Sequence, residues 1–168
     1  PQALGVIGLG IMGSAMSANL VKAGFAVMGY DPVSACRSAL VRAGGRAVRT
    51  ASEVAKRAGI LITSLPSSEA LEEASAELAR TGRRGQIVIE TSTLPIGDKQ
   101  AARKVLAARG ITLLDCPLSG TGAQARTKDL VVYASGEDAA YRKCVGVFEG
   151  FARAHYLVGP FGDGSKMK

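Results

Sequence analysis

Leu4 to Ile7 is a short apolar run that passes without a break into Gly8-Leu9-Gly10-Ile11-Met12-Gly13, and Ile11 to Ala23 then keeps helical spacing up to Gly24. This junction of strand, glycine loop and helix constrains the fold more than any other feature of the chain. A missing Cβ does a different job at each glycine. Gly8 permits the tight turn, Gly10 lets a pyrophosphate approach the backbone, and Gly13 lets the helix pack close against the strand. The helix that opens there offers unbonded N–H groups and the positive end of its dipole to phosphate. The junction therefore predicts a dinucleotide site contacted by Gly8, Gly10, Ile11, Met12 and Gly13, with a plain glycine-rich turn as the alternative.

The rest of the chain repeats the pattern. Strands are expected at Phe25–Tyr30, Arg46–Val48, Ile60–Leu65, Gln86–Glu90, Ile111–Asp115, Leu130–Ser135 and His155–Val158. Helices are expected at Val33–Ala43, Ser52–Arg57, Ser68–Arg80, Pro95–Ala108 and Asp138–Phe151. Short apolar runs alternating with amphipathic stretches imply an α/β fold: a doubly wound, mostly parallel sheet with helices on both faces, of the Rossmann type. The turn-rich Gly159-Pro160-Phe161-Gly162-Asp163-Gly164 reads as a boundary. A dinucleotide-binding domain is expected over 1–163, with 164–168 the start of a second, truncated domain.

Composition narrows the function classes. An apolar fraction of 47% supports a sizeable core and argues against disorder. The net charge of +7 is spread over the chain, and its densest cluster, Arg80, Arg83 and Arg84, lacks aromatic neighbours for base stacking. No nucleic-acid partner is expected; a mildly basic surface suits an anionic cofactor and a carboxylate substrate. Three cysteines without metal-like spacing point to a reduced, cytoplasmic setting and to no metal. No signal peptide or membrane-length apolar run is present, so no membrane association is expected. The first residue is Pro rather than Met, which suggests a trimmed start.

In open α/β sheets ligands gather at the carboxyl ends of strands. Asp31 ends the second strand and has two readings. It can accept from a ribose 2′-hydroxyl and repel a 2′-phosphate, or it can cap the helix that follows Pro32. The first is favoured and predicts NAD over NADP, because no Arg immediately follows. Leu65-Pro66 and Thr91-Ser92-Thr93 also end strands; strand terminator and helix cap are the alternatives for Pro66 and Thr93. Asp115-Cys116-Pro117-Leu118-Ser119-Gly120-Thr121 ends another. Its hydroxyls and backbone N–H groups suit a carboxylate, with a Ser-Gly turn as the alternative.

Taken together, G-V-I-G-L-G-I-M-G-S-A-M-S-A-N-L, S-L-P-S-S, E-T-S-T-L-P and D-C-P-L-S-G-T-G-A-Q-A resemble the β-hydroxyacid dehydrogenases, in order and over the whole chain. That family includes 3-hydroxyisobutyrate, tartronate semialdehyde, threonate and 6-phosphogluconate dehydrogenases. The resemblance implies an N-terminal NAD(P) domain followed by an all-helical domain that carries the dimer interface, hence a homo-oligomer in the full-length protein. It implies that Ser119, Gly120 and Thr121 receive a small hydroxy acid; the family often has S-G-G where this chain has S-G-T. It also implies a catalytic lysine in a G-x-G-x-x-x-K pattern, which Gly162 to Lys168 match, making Lys168 the acid–base candidate and leaving Lys166 out of place. Ser119 and Gly120 would share the catalytic site with it. The expected function is NAD-dependent oxidation of a small β-hydroxy acid, 3-hydroxyisobutyrate- or threonate-like, with little turnover from this portion alone.

Two rivals remain. One is a non-catalytic NAD(P)-binding recognition module; the other is a methyltransferase using the same glycine loop, which the later motifs do not fit. His155, the only histidine, reads as structural or exposed, and Cys116 as a packing residue. Met12 and Met16 read as core or cofactor-wall residues.

Overall fold

The computed structural model describes residues 3–168; Pro1 and Gln2, with which the expected first domain begins, lie outside the described residues. Strand and helix alternate from the start: β1 (Leu4–Ile7), α1 (Ile11–Lys22), β2 (Val27–Tyr30), α2 (Ser34–Arg42), β3 (Arg46–Ala47), α3 (Ala51–Arg57), β4 (Ile60–Thr63), α4 (Ser68–Thr81), β5 (Ile87–Glu90) and α5 (Ile96–Ala107). The alternation then loosens. β6 (Thr112–Asp115) is followed by β7 (Leu118–Ser119), α6 (Gly122–Arg126), β8 (Val131–Ser135), α7 (Asp138–Phe151), β9 (Ala154–Gly159) and α8 (Asp163–Met167).

The sheet runs β3-β2-β1-β4-β5-β6-β8-β7, with β9 also paired to β8. From β3 to β6 every pairing is parallel. β8 joins β6 and β7 antiparallel, and β9 joins β8 in parallel. The order reverses between β1 and β4, so a crevice forms at their carboxyl ends, and the glycine loop lies there.

Burial on both faces explains why these strands read as apolar runs. Val6, Ile62, Ile89 and Leu114 enter one core, with Met16 and Leu20 of α1 and Phe148 and Phe151 of α7. Their neighbours Ile7, Leu61, Val88 and Leu113 enter the other, with Val54 of α3, Leu71 and Leu78 of α4, and Leu106 of α5. Adjacent strand residues thus serve opposite faces, the period-two signature of a covered sheet.

Most expected elements are present with ends moved inward by a residue or two. Phe25 and Ala26 precede β2, and Leu65 follows β4. Pro95 is the residue before α5 rather than its first turn. The expected series lacked β7, α6 and a defined α8, all of five residues or fewer.

Candidate cofactor cleft and active site

A cavity of 610 Å³ opens at the switch point, lined by Gly8, Gly10, Ile11, Met12, Asp31, Leu65 and Pro66 among others. Its floor depends on missing side chains. Gly8 has φ +95°, and a Cβ there would sit 1.9 Å from the Ser64 carbonyl oxygen. A Cβ on Gly13 would sit 1.9 Å from the Gly8 carbonyl oxygen. A Cβ on Gly10 would meet nothing within 4 Å. The first two glycines close the turn on itself. Gly10 instead leaves open space over the start of α1, whose first N–H groups face an anion-sized opening.

Asp31 is buried, and both of its oxygens are used. Oδ2 accepts from Leu9 N at 2.8 Å and Oδ1 from Val33 N at 2.8 Å. The carboxylate pins the glycine loop and the turn into α2 together. Val33, not Asp31, is the residue flanking α2, so the simple helix-cap reading does not hold. Each oxygen retains a second lone pair for a ribose hydroxyl. No Arg follows Asp31 directly, but Arg37 Nη1 donates to the carbonyls of Asp31 (2.7 Å) and Pro32 (3.0 Å). One turn of α2 brings that cation back to the strand end. The acids Glu73 and Glu77 line the same cavity.

The ends of β4 and β5 are joined by side chains. Leu65 N donates to Ser92 Oγ at 2.8 Å, while Pro66 is exposed. Ser92 Oγ in turn donates to Glu90 Oε1, which also accepts from Thr63 Oγ1. Thr93 is exposed and does not cap α5; its Oγ1 accepts from Lys168 Nζ at 2.9 Å. Lys166 turns away and pairs with Asp163 at 3.0 Å. Of the two C-terminal lysines, only Lys168 is brought to the strand ends. Close approach sets that geometry, since a Cβ on Gly164 would sit 2.4 Å from the Tyr133 carbonyl oxygen.

The Ser119-Gly120-Thr121 segment begins on the last residue of β7 and is exposed. Thr121 forms a capping box at the start of α6: its N donates to Gln124 Oε1 at 2.8 Å and its Oγ1 accepts from Gln124 N at 3.3 Å. Thr121 thus has a structural occupation that its sequence reading lacked, although T-x-x-Q was there to be read. α6 is fastened to α1 by Asn19 Nδ2, which donates to the Ala125 carbonyl at 2.7 Å. Gly122 lies so close to Ile11 that a Cβ would approach its Cγ2 to 2.6 Å. The segment after β7 therefore sits against the glycine loop.

Sequence reasoning also missed a fully buried charged group. Lys99 Nζ lies 2.9 Å from Asp115 Oδ1 and 3.1 Å from Glu90 Oε2, and all three side chains are inaccessible. The Glu90 contact is an ion pair without an aligned hydrogen bond. A signal was present: Lys99 stands three and seven residues before Ala102 and Leu106, on the buried stripe of α5.

The remaining candidates are structural. Burial, followed by the nearby Cys144, pushes the Cys116 thiol well up, and burial pushes Cys144 up to about 12, so neither is a ready nucleophile. His155 Nδ1 shares a 2.5 Å hydrogen bond with Tyr141 Oη and packs on Phe148. No helix among the described residues is long and apolar enough to cross a membrane.

Comparison with known proteins agrees with this fold. A probable 3-hydroxyisobutyrate dehydrogenase of Mycobacterium tuberculosis is 31% identical over 96% of this chain and 55% of its own. The NAD-dependent L-serine dehydrogenase of Pseudomonas aeruginosa is 36% identical, again over 96% of this chain and 55% of its own. The solved structure of the Mycobacterium tuberculosis 3-hydroxyisobutyrate dehydrogenase with L-serine superposes with a TM-score of 0.96 at 30% identity, covering 99% of this chain and 57% of that one. The chain thus spans about half the length of the relatives it matches. The family profile described as the NAD binding domain of 6-phosphogluconate dehydrogenase matches residues 3–159, and the chain belongs to that family.

Proposed function

We propose that this chain is the cofactor-binding half of an NAD-dependent oxidoreductase acting on a small β-hydroxy acid, with Lys168 as its acid–base group. The observation that carries the reading is the 2.9 Å contact of Lys168 Nζ with Thr93 Oγ1 at the end of β5, which Ser92 ties through Leu65 N to the β4 end that lines the glycine-loop cleft. The residues fit the cofactor: Gly10 leaves its approach open, and Asp31 keeps lone pairs for ribose. NAD, when bound, supplies the hydride acceptor. Gly8, Gly10, Ile11, Met12 and Gly13 would hold the pyrophosphate and the nicotinamide side. Leu65, Pro66 and Thr93 would border the ring. Ser119, Gly120 and Thr121 would hold the substrate carboxylate through hydroxyl and N–H groups. Of these, Thr121 has its N–H already given to Gln124 Oε1, while its hydroxyl oxygen accepts from Gln124 N and keeps its own hydrogen to donate. Lys168 would take the hydroxyl proton as the carbinol carbon is oxidised.

The names of the relatives support the substrate class, since 3-hydroxyisobutyrate and L-serine are both short acids with a β-hydroxyl. They give no support to the recognition-module reading, and neither does a lysine aimed at Thr93. On this reading residues 1–163 are the dinucleotide domain and 164–168 open a second one. The full-length protein would be a cytoplasmic homo-oligomer, an assembly that sedimentation would measure, and this portion alone would bind NADH with little turnover. The test is Lys168→Ala in the full-length protein. Turnover of 3-hydroxyisobutyrate, L-serine or threonate should fall at least roughly a hundredfold while NADH affinity is kept. Unchanged turnover would remove Lys168 from the chemistry and return the chain to a binding role.

A further inference from the structure

The buried Lys99 belongs to a closed circuit of contacts that ends on Lys168. From the Thr93 end, Ser92 bonds Glu90 Oε1, and Glu90 Oε2 faces Lys99 Nζ at 3.1 Å. Lys99 Nζ donates to Asp115 Oδ1 at 2.9 Å. Asp115 receives α8: Ser165 Oγ donates to Oδ1 at 2.7 Å and Ser165 N to Oδ2 at 2.8 Å. Ser135 Oγ, 3.3 Å from the same Oδ2, accepts from Gly162 N and Gly164 N at 3.1 and 2.9 Å. α8 then delivers Lys168 back to Thr93. The backbone ladder already joins the ends of β5 and β6, and the ammonium of Lys99 is the side-chain link between their carboxylates.

We infer that Lys99 is a positioning residue: it sets the placement of α8 against the β5 end, and so the approach of Lys168 to Thr93 and to the substrate hydroxyl. Two carboxylates and one ammonium are buried together, so Lys99 is the charge that lets Glu90 and Asp115 face one another without solvent. Asp115 is in turn the acceptor that fixes the first turn of α8 by both its backbone and its serine hydroxyl. The glycine loop is not part of the circuit; it is tied instead by Asp31 to β2 and by close packing to Ser64. Lys99 therefore bears first on the acid–base group; the circuit meets the cofactor cleft only at Leu65, whose N donates to Ser92 Oγ, and not at the glycine loop. The inference rests on the role proposed for Lys168.

The experiment is Lys99→Met in the full-length protein, read by steady-state kinetics, NADH titration and amide hydrogen exchange. The expected result is a kcat reduced at least roughly tenfold, NADH affinity within about twofold of the parent, and faster exchange concentrated at Gly162 to Lys168. Exchange that rises equally across β5, β6 and the glycine loop, with NADH affinity lost in step, would overturn the inference and make Lys99 a general core residue. Unchanged kcat and exchange would overturn it as well. Should Lys99→Met fail to fold, Ser165→Ala decides: it removes the serine link to Asp115 without stranding a buried charge. A kcat reduced several-fold at constant NADH affinity supports the circuit, and parental kcat sinks it. Lys168→Ala run in parallel separates the two ideas. If that variant keeps its turnover, the role of Lys168 is what fails; if it loses turnover while Lys99→Met and Ser165→Ala do not, only the positioning role fails.

Discussion

At the scale of single residues, the glycine loop separates folding from binding. Gly13→Ala places a methyl 1.9 Å from the Gly8 carbonyl oxygen, which α1 can relieve only by moving off the sheet. Overpacking of that kind costs about 1–3 kcal/mol, so the expected result is a lower melting temperature and lost NADH binding together. Gly10→Ala meets nothing within 4 Å, and its φ of −71° suits alanine. That variant should melt with the parent yet bind NADH at least roughly tenfold more weakly, because the methyl occupies the approach to the backbone. Thermal unfolding and calorimetry on both variants check the pair, and a Gly10→Ala chain with full affinity would move the pyrophosphate away from this loop. The cysteines divide in the same manner. Cys116 and Cys144 are buried with raised thiols, whereas Cys36 is half-buried and lines the cavity. Iodoacetamide near pH 8 should modify Cys36 alone, and NADH should slow that reaction; equal labelling of all three by peptide mass would contradict the described core.

At the scale of elements, what could be read from the sequence depended on whether an element is held by its own pattern or by a partner. β1, β4, β5 and β6 are buried on both faces, so each is an apolar run bounded by Gly, Pro or an acid, and each was expected within two residues. α6 has five residues and no apolar stripe long enough to show a period; it stands because Thr121 and Gln124 cap it and Asn19 holds its Ala125 carbonyl across the fold. A partner more than a hundred residues away leaves no local signature. The same holds for Lys99, whose charge reads as a solvated helix face until β5 and β6 bring Glu90 and Asp115 to it. The glycine loop, Asp31 and Thr93 were legible as candidates because strand ends collect ligands in this topology, and Lys168 only through the family resemblance of Gly162 to Lys168. The use of both Asp31 oxygens by backbone, and the return of Arg37 to that strand end, were not. The α6 fastening can be tested directly. Asn19→Ala removes one buried hydrogen bond, but the Ala125 carbonyl still accepts from Lys128 N. The loss should be about 1 kcal/mol of stability, the net value of one bond rather than that of a stranded acceptor. Since α6 adjoins Ser119 to Thr121, the KM for the proposed hydroxy-acid substrate should rise while NADH affinity holds; a fall in NADH affinity alone would place α6 outside the proposed substrate site.

At the scale of the whole molecule, electrostatics decides between the two nicotinamide cofactors. The chain carries +7 overall, which draws either dinucleotide toward the cleft. Local charge then discriminates. NADPH differs by a 2′-phosphate of about −2 charge, which would enter beside Asp31 in a cavity that Glu73 and Glu77 also line. Arg37 opposes them, but its Nη1 already serves two carbonyl oxygens, so its fork is turned in part toward the backbone. Three carboxylates against one partly engaged guanidinium should favour NADH, by at least roughly tenfold at low salt. Repulsion at this solvent-facing rim is screened over about 8 Å at physiological ionic strength, so the preference should shrink as salt is added. Calorimetric titrations with NADH and NADPH at two salt concentrations test both statements. If NADPH binds more tightly, Arg37 outweighs the acids, and Arg37→Ala should then weaken NADPH while sparing NADH. In that outcome Asp31 would serve only to fasten Leu9 of the glycine loop to the start of α2, and Asp31→Asn, which leaves one acceptor oxygen for two N–H donors, would weaken both cofactors equally.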